Sequence, residues 1–481
     1  MALVVTSACD RTTAHPPPPP DTTATDGSTP KPPPAPSCGF TSAALSFELP
    51  VVPAAPAGAF QQTSGQGACS TAGRSFTFHL RDMDGDLRPD LVVDGACDDA
   101  TVGTSAWLVY LNTGTGFAQP VRYALPVLPS PPSCTVDALV DVNGDLKPDI
   151  VVTSLCTDPS VGTSRWLVYL NGPGGFTGSA QPFALPTGFA AATFATLEVD
   201  APTCSNASQP AYSFFDLTGD AKPDLVVTAA CDDLSVGTTA WRLYAGSGTG
   251  VAPSPVLFAL PTSPAPGQGA FATPMNGDIA CAGGRASPRY ALVDFDGDLK
   301  PDLMVTKSCF DPTIGATQWS FYRNGGSSFA ASPASVALPI LAAAPPTAFD
   351  TFAATVSCSG SAHKLTFATF DANGDLRPDL VLTGTCDDPS VGVSHWVLLP
   401  NTKTGFGPAE PYVLPEATLG ATLAAPAGWT GALSCSGGAS TSAFVTGYLV
   451  PPSLDLIVTA TCHDPTVGAS RWLLFSGACP G

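Results

Sequence analysis

Short apolar runs separated by turn residues recur along the chain, and none has the length or 3.6-residue periodicity of a helix. One stretch shows the pattern. "TVDALVDV" and "PDIVVTSLC" are apolar enough for buried strands and flank an acidic segment. "TDPSVGTS" reads as a turn, with Pro159 and Gly162 as breakers. "RWLVYLN" is a third strand, "GPGGF" another turn, and "SAQPFALP" a fourth strand whose proline suits a sheet edge. The 51 prolines and 47 glycines fit many turns and short strands, so the expected class is all-β.

The acidic segment repeats. "DMDGDLRPDLVV" begins at Asp82, "DVNGDLKPDIVV" at Asp141, "DLTGDAKPDLVV" at Asp216, "DFDGDLKPDLMV" at Asp294 and "DANGDLRPDLVL" at Asp371. A sixth copy, "GYLVPPSLDLIV", begins at Gly447 and keeps only Asp455. Successive offsets are 59, 75, 78, 77 and 76 residues. Length alone would suggest about three domains, but a fixed period makes each repeat one supersecondary unit of a larger array. Four strands repeated six times match the blades of a propeller better than a solenoid, whose units are shorter. The expected layout is a tether over residues 1–37 and one six-bladed β-propeller over 38–481. Trp107, Trp166, Trp241, Trp319, Trp396 and Trp472 hold one position on the third strand. Packing between blades is the reading favoured for them over a ligand platform.

Net charge is −20, which argues against nucleic acid or an anionic membrane surface as partner. The five intact loops hold 17 of the 39 carboxylates, so five divalent cations would halve the charge to −10. In D-x-D-G-D-x-x-x-D the side chains at positions 1, 3, 5 and 9 can converge with the carbonyl of position 7, giving the oxygens that a hard cation takes. The candidate sets are Asp82, Asp84, Asp86, Arg88 and Asp90, then Asp141, Asn143, Asp145, Lys147 and Asp149. Next come Asp216, Thr218, Asp220, Lys222 and Asp224, then Asp294, Asp296, Asp298, Lys300 and Asp302. The fifth set is Asp371, Asn373, Asp375, Arg377 and Asp379. Arg88, Lys147, Lys222, Lys300 and Arg377 enter through their carbonyls. Oxygen-only ligands favour calcium over magnesium or zinc, and the competing reading is a solvated acidic turn without metal. An EF-hand is excluded, because Gly85 stands at position 4 and Val93 at position 12.

D-x-[DN]-G-D-x-x-P-D-L-V-V resembles the FG-GAP/VCBS repeat of integrin-α-type propellers and bacterial secreted proteins. The resemblance covers the chain from about residue 39 onwards. It implies calcium held in the hairpin between the first two strands of each blade. One departure stands out: the family usually has glycine at position 6, where this chain has Leu87, Leu146, Ala221, Leu299 and Leu376. A left-handed backbone is costly there for non-glycine residues, so an altered loop geometry is expected. The sixth copy is expected not to bind.

Twelve of the 15 cysteines form a series around the loops: Cys69 and Cys97, Cys134 and Cys156, Cys204 and Cys231, Cys281 and Cys309, Cys358 and Cys386, Cys435 and Cys462. Zinc is the alternative, but its ligands usually come as close C-x2-C pairs and none is present. Disulfides bracketing each loop, in an oxidising compartment, are expected. Every complete repeat ends in Leu-Pro, whereas the sixth stops at "RWLLFSGACPG". "CGFTSAALSFELP", from Cys38 to Pro50, supplies the missing strand, expected as the outer strand of the last blade, with a Cys38–Cys479 bond at the seam.

"VVTSAC" resembles the end of a bacterial lipoprotein signal, with Cys9 as the lipid-bearing residue. Thr6 stands where leucine is usual and the preceding stretch is short, so a free Cys9 is the alternative. No stretch is long and apolar enough for a transmembrane helix. No seryl or cysteinyl nucleophile motif such as G-x-S-x-G stands out. The expected function is a monomeric, secreted or surface-attached calcium-binding module for a protein or glycan ligand. The alternative is a calcium-dependent polysaccharide lyase or hydrolase on the same scaffold.

Overall fold

A computed structural model describes residues 38–479, apart from 57, 71–72, 129–134, 205–208, 263–268, 279, 282–286, 342–343, 361–362, 416–429 and 432–441. The described residues form strands and no helix. Cys9 and the tether lie outside them.

The third repeat shows how the sequence makes a sheet. Ala211–Phe215 enters the acidic loop and Asp224–Ala229 leaves it, pairing antiparallel with Phe214 opposite Leu225. All six residues of Asp224–Ala229 are buried, as expected of a β-branched run covered on both faces. Ala240–Tyr244 follows, then the Leu-Pro strand Val256–Ala259, with Trp241 opposite Phe258.

A fifth strand was not foreseen. The insertion before the third loop adds Glu198–Val199 beside Ala211–Phe215. Gly65–Ala68, Asn276–Gly277, Ala353–Ser357 and Thr430–Gly431 do the same in the first, fourth, fifth and sixth repeats. Among the described residues the second repeat alone keeps four strands, ending at Thr135–Val140. The four-strand expectation came from that repeat, whose insertion is the short one.

The N-terminal segment supplies the strand missing from the last repeat. Leu45–Glu48 pairs antiparallel with Arg471–Ala478, setting Phe47 opposite Trp472 as Phe183 sits opposite Trp166. Gly39–Phe40 pairs with the end of the same strand and, in parallel, with Val413 of the fifth repeat. The Leu-Pro strands are not simply outer strands. Their far edges bridge to the following sheet, at Ala124 with Gly175, Ala184 with Gly250, Ala259 with Ser328, and Glu48 with Gly116.

Six apolar cores lie between consecutive sheets. Trp166 and Val151 of the second repeat pack with Tyr212 and Leu225 of the third, and the same arrangement recurs along the chain. The last of them joins Trp472 and Ile457 to Phe47, Phe76 and Leu91, so the sixth repeat shares a core with the first. Five of the six tryptophans are fully buried, at 0–1% exposure, which fits packing. Trp107 is only partly buried.

Cys69–Cys97, Cys204–Cys231, Cys281–Cys309 and Cys358–Cys386 are bonded as expected, with Cα–Cα separations of 5.4–5.6 Å. Cys38–Cys479 joins the two ends of the described residues across 441 residues of sequence. Cys156 and Cys462 are also disulfide-bonded. Their expected partners, Cys134 and Cys435, fall outside the described residues. Five described bonds imply an oxidising, extracytoplasmic setting. No helix among the described residues is long and apolar enough to cross a membrane.

Deleting residues 39–50 removes Phe40 and Phe47 from two cores along with their strand pairing. Loss of a single cooperative melting transition, followed by circular dichroism, is the expected result. Cys479→Ser should retain the fold but lower its melting temperature, because only the cross-link is lost.

Candidate metal centres

Each acidic loop is built by its own aspartates before any ion is considered. The position-1 carboxylate closes the turn. Asp82 Oδ1 and Oδ2 accept from the amides of Gly85 and Leu87, and Asp141, Asp216, Asp294 and Asp371 repeat this at 2.7–2.8 Å. These bonds hold position 6 in the left-handed region: φ is 65–70° at Leu87, Leu146, Ala221, Leu299 and Leu376. The altered geometry expected for non-glycine residues is therefore not found. Two charge-assisted hydrogen bonds offset the backbone strain of about 1 kcal/mol. The position-5 carboxylate accepts from the amide two residues on at 2.9–3.1 Å, Arg88 N–H to Asp86 Oδ1 being the first case.

Position 9 has a structural role that sequence reasoning missed. Asp90, Asp149, Asp224, Asp302 and Asp379 are completely buried. Oδ2 accepts from the position-2 amide, of Met83, Val142, Leu217, Phe295 or Ala372, at 2.9–3.2 Å. Oδ1 accepts at 2.7–2.8 Å from an amide 22 residues further on, of Asn112, Asn171, Gly246, Asn324 or Asn401. One carboxylate thus ties the loop to the end of the third strand. It also explains Asp455: with Gly447, Leu449 and Pro451 offering no side-chain oxygen, Asp455 still takes the Val450 amide at 2.7 Å.

The asparagines then reach the neighbouring repeat. Asn171 Nδ2 donates to the Met83 carbonyl, Asn324 to Leu217, Asn401 to Phe295, and Asn112 to Leu449 of the sixth repeat, all at 2.8–2.9 Å. Gly246 and Gly477 hold the same position without a side chain. The signal in the sequence was an asparagine five residues after each tryptophan, broken at these two places.

Two loops bring three carboxylates together. Asp82, Asp84 and Asp86 each offer an oxygen within 4.8 Å of the others, as do Asp294, Asp296 and Asp302. In the second and fifth loops an amide replaces the position-3 carboxylate, and Asn143 and Asn373 donate to Asp145 and Asp375. Thr218 donates to Asp216 in the third. Basic side chains balance the acids: Arg88 pairs with Asp86, Arg377 with Asp375, and Lys300 with Asp298 at 3.2 Å. Arg323, not singled out from the sequence, contacts Asp296 at 2.7 Å and Asp298 at 3.3 Å.

Burial pushes the position-9 carboxyls up, to about 7 at Asp90 and Asp379, about 6 at Asp149 and Asp224, and about 8 at Asp302, where Asp296 adds repulsion. A folded pKa above the unfolded 3.8 means that the folded state holds the proton more tightly. Stability without cations therefore falls as pH rises from about 4 to 8. Asp99, Asp158 and Asp464, held near 2 by neighbouring turn hydroxyls, titrate below that window. In EGTA the melting temperature should be higher at pH 5 than at pH 8. In the same buffer Asp90→Ala should lower it strongly, because two buried amides lose their acceptor at about 1–3 kcal/mol each. Asp84→Ala should leave it nearly unchanged.

No family profile matches the chain, and no curated protein does, so the FG-GAP/VCBS resemblance rests on the loop residues alone. Among solved structures, the chain is similar to the Photorhabdus luminescens Tc holotoxin pore with the TccC3-D651A mutation, at 18% identity and a TM-score of 0.42. That match covers 87% of this chain, which spans only 15% of the toxin chain. An Agrocybe aegerita lectin that recognises non-reducing terminal N-acetylglucosamine matches at 15% identity and a TM-score of 0.39, over 80% of this chain and 75% of the lectin. A Dos1 propeller matches at 9% identity and a TM-score of 0.28, over 84% of this chain and 80% of that one.

Proposed function

We propose that the chain is a calcium-stabilised, six-bladed propeller outside the cytoplasm that serves as a binding module for a protein or glycan. The carrying observation is the recurrence of one loop geometry five times, each with a fully buried carboxylate at position 9 and hydroxyl, amide or carboxylate oxygens at positions 1, 3 and 5. Buried carboxylates without a cation or proton are costly, and hard cations take such oxygen sets. The cyclic sharing of cores, with the sixth repeat on the first, supports a closed ring. In that ring the Leu-Pro strands lie where neighbouring blades approach most closely. The first and fourth loops, with three gathered carboxylates each, are the tightest sites, and Arg88 and Arg323 swing off the acids when the ion enters. The disulfides support a setting outside the cytoplasm, and attachment through Cys9 belongs to this reading.

Calcium should raise the melting temperature and remove its dependence on pH between 5 and 8. At 100 times its dissociation constant, each filled site adds about 2.7 kcal/mol. A melting curve unchanged between 1 mM calcium and excess EGTA would sink the metal assignment. Asp86→Ala and Asp298→Ala should lower the number of calcium ions bound, counted by isothermal titration. A glycan array run beside a polysaccharide-turnover screen separates binding from catalysis.

A further inference from the structure

Two basic side chains that depart from the repeat meet at the fourth acidic loop. Arg323 precedes Asn324, where the other repeats have Leu111, Leu170, Ala245, Pro400 and Ser476. Its Nε lies 2.7 Å from Asp296 Oδ2 and its Nη2 lies 3.3 Å from Asp298 Oδ2. Lys403 comes from the fifth repeat. Asn401 donates to the Phe295 carbonyl at 2.8 Å, which sets the turn that carries Lys403 beside the fourth loop. The equivalents of Lys403 in the first, third and fourth repeats are Gly114, Gly248 and Gly326. Lys403 keeps their left-handed backbone, with φ at 73° against 82–85°, a conformation that costs a lysine strain and a glycine none. Burial and the Asp298 charge push the Asp296 carboxyl up, and the charges of Arg323 and Lys403 pull it back.

The loop holds more negative charge than Arg323 satisfies. Asp296 is 6% exposed, and while its Oδ2 faces Arg323, its Oδ1 is buried with no hydrogen-bond partner. Asp296 belongs to the group in which Asp294, Asp296 and Asp302 bring oxygens within 4.8 Å of one another. A buried, unpaired carboxylate oxygen among other carboxylates calls for a cation. Arg323 is largely exposed and reaches these acids from the solvent side, so it acts as a tethered cation. A divalent ion in the loop takes over the same oxygens and releases the guanidinium beside Lys403. The ion, Lys300, Arg323 and Lys403 then outweigh the four carboxylates of the fourth loop by one positive charge. The second, third and fifth loops, each with three carboxylates, one base and an ion, come to zero, and the first does not exceed it.

We propose that the cation-filled fourth loop is a binding site for the carboxylate of an acidic sugar, held by the displaced Arg323 and by Lys403. Without the ion the guanidinium is occupied by Asp296 and Asp298, and the site is closed. A carboxylate is the anion that a planar guanidinium takes through two parallel hydrogen bonds. The rim favours sugar over peptide. Thr402, Thr404, Gly325 and Ser327 are exposed and offer hydroxyl and backbone groups, with none of the apolar anchors on which a protein interface centres. The inference rests on the reading of the loops as calcium sites, and it gives the binding module a site and a ligand class.

The test titrates the full chain calorimetrically with 3′-sialyllactose and with trigalacturonate, in 1 mM calcium and in excess EGTA. One of the two acidic sugars should bind saturably in calcium and about tenfold more weakly, or not at all, in EGTA. Lactose and methyl-esterified trigalacturonate, the neutral counterparts, should not bind. Arg323→Leu and Lys403→Gly, which restore residues of the other repeats, should each weaken binding by about tenfold. Both should melt in calcium no lower than the parent chain, and Arg323→Leu should tighten one calcium site because its competitor is gone. Absence of binding by both acidic sugars, equal binding in EGTA, or equal binding by the neutral counterparts would each overturn the site. So would a peptide of three Glu-Ser units binding more tightly than either sugar. A melting temperature that calcium does not raise removes the metal reading and this site with it. Where calcium stabilises the chain but Arg323→Leu binds the sugar as the parent does, this site alone falls.

Discussion

A buried carboxylate bonded to two backbone amides recurs as Asp90, Asp149, Asp224, Asp302 and Asp379, and the rest of the structure is arranged around it. Each one fixes where the acidic loop begins relative to where the third strand ends. That in turn sets the position of the tryptophan five residues earlier and of the asparagine that reaches the preceding repeat. The arrangement is costly: desolvation raises every one of these carboxyls towards neutrality, and two amides offset only part of it. The loop aspartates at positions 1, 3 and 5 lie on the same hairpin, so the bracket and the candidate cation share one source of strain. Asp455 keeps only the loop half of the bracket without the other acids, since the Gly477 amide donates to the Leu454 carbonyl instead.

Repeats of this size cannot bury both faces of a sheet alone, and here three kinds of contact carry the load between neighbours. Apolar cores are shared pairwise, asparagine side chains cap a neighbour's carbonyl, and phenylalanine covers close over tryptophans. The asparagine links are interrupted at Gly246 and Gly477. A side chain at Gly246 would meet the Pro223 carbonyl at 2.2 Å, and one at Gly477 would meet the Tyr412 hydroxyl at 2.2 Å. The links therefore run through the sixth, first and second repeats and, separately, through the third, fourth and fifth. The apolar cores continue across both interruptions.

The short second repeat departs most from this pattern. Its connection from the first repeat is the short one, Trp107 is only partly buried, and Asp94 and Asp137 stand where the other repeats have threonine and an aromatic. Asp137 on an exposed edge also discourages the edge-to-edge pairing that an open strand invites.

The sequence alone determined the all-β class, the repeat and its period, the five described disulfides and the origin of the missing strand at Cys38–Pro50. All of these are local patterns multiplied by repetition, and a one-dimensional array lets neighbours be read from order along the chain. It did not reveal the fifth strand, because the insertions are rich in Ala, Gly and Pro and carry no alternation. It suggested an altered loop geometry at Leu87 and its equivalents, whereas these residues keep the left-handed backbone, because the stabilising hydrogen bonds from Asp82 depend on how the turn folds back. Tertiary structure alone decided that Asp90 is a bracket and that Asn171 belongs to the neighbouring repeat, 88 residues away. It also decided that Trp107, alike in sequence to five others, is the one left partly open. Burial and hydrogen-bond partners are set by which segment lies across a sheet, and residue type at a single position does not encode that.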